Sequence, residues 1–170
     1  MIKKISIVAA LLTVFNSFSQ AEGHGHEYES EKEHELTQSI TVGASAAYSS
    51  ELETVGFNLR AYYNVSPHFC FGPEYSYFKK EDSEVQAFDF VLHYIIETEI
   101  VGIYPLLGSN YTIEKEEFEF EQETEEEFGV VLGAGIHKTF NNITAFAQYS
   151  RVELGIEDEI FTVGLMYTLK

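Results

Sequence analysis

The feature that most constrains this chain is an alternation of apolar and polar residues, with a period of two, repeated from Leu36 to Lys170. Successive side chains of a strand point to opposite faces, so a period of two describes a strand with two chemically different sides. The last repeat is the cleanest: Phe161, Val163, Leu165, Tyr167 and Leu169 share one face, while Thr162, Gly164, Met166 and Thr168 share the other. The first sets Ile40, Val42, Ala44, Ala46 and Tyr48 against Thr41, Gly43, Ser45, Ala47 and Ser49. Comparable stretches follow around Val55 to Asn64, Phe69 to Tyr77, Phe88 to Ile96 and Gly129 to His137. Two more are assigned by length and spacing, because 100–111 is apolar on both faces and 142–152 places Phe146 with the polar set. Eight strands of this kind predict an all-β chain, an antiparallel up-and-down barrel that crosses a membrane with about 9–11 residues per strand.

The N-terminus has a different composition. Lys3 and Lys4 precede an apolar run from Ile5 to Phe15, followed by the small residues Ser17, Ser19 and Ala21, which is the layout of a secretory signal peptide over 1–21. Cleavage after Ser19 or after Ala21 fits equally well. Residues 22–35 are polar and lack periodicity, so they read as an acidic periplasmic tail containing histidines, and 36–170 as the barrel. No run of eighteen apolar residues follows the signal, which excludes a spanning helix there. The single cysteine, Cys70, excludes an internal disulfide and lies far from where a lipoprotein anchor would be. A net charge of -18 argues against nucleic acid as a partner.

The connections sort by charge. Those at 66–67, 97–99 and 141–142 are brief, whereas 50–54, 79–84, 114–127 and 153–159 carry the acid. With an even strand count the brief set is periplasmic and the acidic set external. Eight strands also leave an interior that side chains just fill, so a wide diffusion channel is not expected.

The signal peptide, the eight strands and the closing stretch from Thr162 to Leu169 resemble the small outer-membrane barrels grouped with OmpX and the membrane domain of OmpA. The resemblance implies residence in the bacterial outer membrane as a monomer, contact with its lipid, and delivery by the barrel-assembly machinery. By the same resemblance Thr162, Gly164, Tyr167 and Leu169 carry the terminal assembly signal, although Lys170 follows where many members end on phenylalanine. The chain stops where the barrel closes, so no peptidoglycan-binding domain is expected.

Arg60, Glu74, Asp89, His93, His137 and Gln148 occupy the face opposite the apolar one, which predicts a polar network in the lumen. Arg60 and Glu74 stand seven residues before and seven after Pro67, so they sit level on neighbouring strands and should pair. A proton or ion gate is the alternative reading of that pair. A catalytic role for His93 or His137 lacks a nucleophile in reach, and Asp89 lies about 13 Å along the strand from His93. No enzymatic activity and no cofactor are expected. His24, His26 and His34 among glutamates have the residue types of a weak metal-capturing tail.

Glutamates alternate with Phe118 and Phe120 across 114–127, which predicts that two strands continue past the membrane as a hairpin. Divalent cations could bridge those carboxylates, though there is no EF-hand spacing. The leading expectation is a structural or adhesive barrel, or one that binds cations at the surface. A narrow gated pore or small-ligand conduit is the alternative, and glycines on the inner faces of strands one and six would leave it space. A soluble lipocalin-like barrel would reverse the faces, with apolar residues inside.

Overall fold

A computed structural model describes residues 38–118, 121–154 and 156–169. The proposed signal peptide, the tail with His24, His26 and His34, and Lys170 lie outside the described residues. Among the described residues nine strand segments follow one another: β1 (Ser39–Ser49), β2 (Thr54–Ser66), β3 (Phe69–Lys80), β4 (Ser83–Tyr94), β5 (Ile96–Glu97), β6 (Gly102–Phe118), β7 (Glu121–Phe140), β8 (Ile143–Glu153) and β9 (Glu159–Leu169). β4 and β5 both pair with β6 and form one wall of the barrel between them. They are separated at Ile95, whose backbone N–H bonds to the carbonyl of His68 at 2.7 Å instead of joining the ladder. Every neighbour is antiparallel, and β1 pairs with β9 from Ile40↔Leu169 to Ser49↔Ile160. The chain is therefore a closed eight-stranded up-and-down barrel.

The outward face is apolar around the whole circumference. Val55, Val163, Leu165 and Leu107 are 67%, 65%, 58% and 55% exposed, an arrangement suited to hydrocarbon and costly in water. Aromatic rings gather at both rims of this belt. Tyr111–Phe128 lies 4.7 Å apart on the side of the β6–β7 hairpin, here called the outer end, and Phe69–Tyr94 lies 5.0 Å apart at the inner end. Placing a charge in the middle of the belt tests its solvent: Leu165→Arg should lower stability in lipid by roughly 2–4 kcal/mol, measured by urea unfolding in vesicles, while the same change at Leu169 near the rim should cost far less.

The expectation of alternately short and long connections needs correcting. β3 and β4 are joined at the outer end by only 81–82, because Lys79 and Lys80 continue the ladder opposite Glu84 and Ser83. Opposite charges directly across the strands favour that pairing, so charged residues taken for a loop are strand. What distinguishes the outer end is reach. The β6–β7 ladder runs to Phe118↔Glu121, whereas β8 pairs with β7 only as far as Val130↔Glu153. The predicted hairpin is present, with Glu114 opposite Glu125 and Glu116 opposite Glu123. The strand expected from residue 100 starts at Gly102, and Ile100 is exposed in the preceding turn.

Candidate functional site

The side chains turned inward form three levels. At mid-height, β2 and β3 bring Arg60 and Glu74 into register, and Arg60 Nη2 lies 3.1 Å from Glu74 Oε2 with both side chains almost fully buried. The 67–68 turn alone would set Arg60 opposite Tyr75, and a bulge between Asn64 and Ser66 shifts the register by one residue to bring Glu74 across instead. Three further groups hold the guanidinium. Its Nε donates to Asn58 Oδ1 at 2.9 Å, its Nη1 donates to Gln148 Oε1 at 3.0 Å across the lumen, and its Cζ lies 4.1 Å from the centre of the Phe146 ring. Glu74 accepts from Asn58 Nδ2 at 3.1 Å and from the Tyr62 hydroxyl. Most of the pair's polar atoms are thereby hydrogen-bonded, while Arg60 Nη2 faces Glu74 at ion-pair distance without a hydrogen bond of its own.

Asp89 sits on β4 opposite Glu74, but it is bound separately, accepting from Asn110 Nδ2 at 2.6 Å. His93 is packed between rings, 4.7 Å from both Tyr62 and Tyr104, with Nε2 3.9 Å from Glu74 Oε1. No carboxylate orients it for base catalysis. His137 lies apart from the other four, near the inner end, with Nε2 3.1 Å from Glu97 Oε1. The predicted set is therefore one connected group around Arg60 and Glu74, a neighbouring Asp89–Asn110 pair, and a rim pair. Sequence reasoning missed Asn58 and Tyr62, whose lumen parity was legible, and Asn110 and Tyr104, whose strand is apolar on both faces and gave no parity.

Below this layer a cavity of about 60 Å³ is lined by Thr41, Asn64, Cys70, His93, His137 and Thr168, among others. That is room for roughly four waters. Above it, Phe78, Ala47, Val85 and Ile160 form an apolar cluster with Leu52 packed against it, and Phe78 is fully buried. The glycines of the inner face do not leave a passage. A β-carbon at Gly135 would stand 2.3 Å from Tyr104 Cζ, and one at Gly43 would stand 2.6 Å from Met166 Cγ, so neighbouring side chains already occupy that space.

Of the four residues assigned to an assembly signal, Thr162 is buried in the lumen, and Tyr167 and Leu169 lie on the outward belt. Gly164 has a packing reason for its identity: a β-carbon there would meet Ser45 Cβ at 2.3 Å.

The two ends carry carboxyls shifted in opposite directions. At the inner rim the hydrogen bond from His137 holds Glu97 below the ordinary 4.5, against the opposing effect of burial. At the outer end burial, and next the like charge of Glu116, raise Glu114 above 4.5. A depressed folded value means that Glu97 stabilises the fold above the unfolded value and that this contribution is lost as the pH falls through the folded one. Glu114 has the opposite sign, its ionised form opposing the fold until the pH falls through its raised value. Amide exchange corrected for intrinsic rate should show the inner rim loosening and the hairpin base tightening on acidification. Glu97→Gln should abolish the first change and Glu114→Gln the second.

No protein-family model and no curated protein matches the sequence. Solved structures do match. The N-terminal β-barrel domain of Pseudomonas aeruginosa OprF superposes with a TM-score of 0.69 at 13% identity, covering 78% of this chain and 98% of that one. Ail, the attachment invasion locus protein of Yersinia pestis, gives 0.58 at 18%, covering 77% and 97%. Neisserial surface protein A gives 0.56 at 15%, covering 78% and 96%. At such identities the likeness concerns the fold. That fold is the one shared by small eight-stranded outer-membrane barrels, as the sequence resemblance implied.

Proposed function

We propose that this barrel, having the fold of the small outer-membrane proteins, resides in the bacterial outer membrane as a non-enzymatic monomer with a closed lumen. Its role on this reading is structural and adhesive, with the acidic hairpin as the surface that meets the exterior. The observation that carries the closed lumen is its occlusion at two successive levels, the Arg60–Glu74 layer and the cluster around Phe78 above it. The inner cavity reaches only the first. In planar bilayers the purified barrel should give no steady conductance, and a steady conductance would overturn this reading in favour of a narrow conduit.

The adhesive part is supported by the reach of β6 and β7 beyond the other strands and by the exposure of Glu123, Glu125 and Glu126. Ail is also known in complex with the heparin analogue sucrose octasulfate. Here a polysulfate would meet Glu51, Glu53, Glu123 and Glu125, so the surface suits cationic partners and divalent ions. Among the described residues no group of three or more His, Cys, Asp or Glu side chains is arranged to hold a metal ion, so ion contact would be diffuse. Cells expressing a variant that lacks 114–125 should retain the boiling-dependent gel shift of a folded barrel and lose surface contact. Unchanged contact would remove the adhesive reading.

A further inference from the structure

We infer that the free edge of β7 is a strand-addition site for an extended, basic segment of another protein. The inference rests on the proposed surface-contact role and names its partner class and its mode. β7 spans Glu121–Phe140, but β8 pairs with it only from Val130 onward. Beyond that point β8 turns away at Leu154, where φ is 62°, hard against Gly129, at which a β-carbon would stand 2.7 Å from the Leu154 carbonyl. On its other side the same stretch of β7 is fully laddered to β6. No described residue pairs with its outer edge between Glu121 and Phe128, which leaves one side of the sheet open over about 26 Å.

An open edge presents unpaired N–H and C=O groups that accept another strand, and partners use such edges by main-chain pairing. Charge decides which strand. Glu123, Glu125 and Glu127 share one face of β7, and Glu126 and Phe128 share the other. A second copy added to this edge would set glutamates against glutamates, which is destabilising, and residues 22–35 of this chain carry the same sign. A segment alternating lysine or arginine with small polar residues meets the reverse situation, since it gains both the ladder and cross-strand charge pairs. The carboxylates that bar self-association thus select a basic partner.

The test uses the full barrel in lipid nanodiscs and a synthetic octapeptide alternating lysine and threonine. Its two twins are N-methylated at the odd or at the even residues, and each keeps the charge and removes the donors along one edge. The unmodified peptide should bind, protect amides of 121–128 from exchange, and weaken as salt rises. The twin methylated on the pairing edge should bind at least tenfold more weakly, and so should the unmodified peptide to the exposed-site variant Glu123→Gln/Glu125→Gln. Equal binding of the peptide and both of its possible methylated twins, or no binding at all, would overturn strand addition. If either result accompanied loss of cell contact on deleting 114–125, surface contact would stand and only the edge mechanism would fall. Unchanged cell contact with selective peptide binding would do the opposite.

Discussion

Replacing Arg60 with alanine should destabilise the barrel by about 3–5 kcal/mol, because it leaves Glu74 buried without its counter-charge. The loss has several sources in the geometry. Asn58, Gln148 and the Phe146 ring are all arranged around the guanidinium, and none of them can follow a methyl group into the lumen. Urea titration in micelles, read by the gel shift between folded and boiled forms, measures it. The double variant Arg60→Met/Glu74→Gln separates charge from packing, since removing both ions and keeping the volume should recover most of the loss. If Arg60→Ala proved neutral, the pair would not be holding the middle of the lumen together.

Phe78→Ala should cost a similar amount, about 3–5 kcal/mol, through the cavity it opens in the outer cluster. Phe78 is fully buried against Ala47, Val85 and Ile160, so the surrounding wall strands cannot collapse inward without breaking their ladders. The small outer cavity, about 30 Å³, would enlarge toward the polar layer. Bilayer recordings should nevertheless stay silent for this variant, because the Arg60–Glu74 level lies beneath it. A conducting Phe78→Ala barrel would mean that the outer cluster alone closes the lumen.

The strand count and the two faces were legible because they depend on neighbours along the chain, whereas the Arg60–Glu74 register, reached by counting from Pro67, is set in the structure by the bulge between Asn64 and Ser66. The position of Gln148 against Arg60 was not legible, since β2 and β8 are not adjacent and meet only through the curvature of the closed barrel. Alternation failed in two places for one physical reason: this lumen is polar only in part. Tyr104 and Leu106 turn inward from β6 and pack with Tyr62, Val91 and Val131, so that strand is apolar on both faces. Phe146 sits among polar residues because a guanidinium lies over its ring. The β3–β4 turn was misjudged because charge was read as loop, whereas Lys79 and Glu84 are opposed partners within a ladder.

The pairing of β1 with β9 has a kinetic consequence. Ile40 bonds across to Leu169, so the seam joins residues at nearly opposite ends of the described chain. Closing so long a loop carries a large entropic cost before any reward from the seam, and folds dominated by such distant pairings form slowly. Until Leu169 is in place, both seam edges remain unpaired and open to other chains. Closure therefore waits for β9, and that strand sets the moment at which folding of the described barrel can finish.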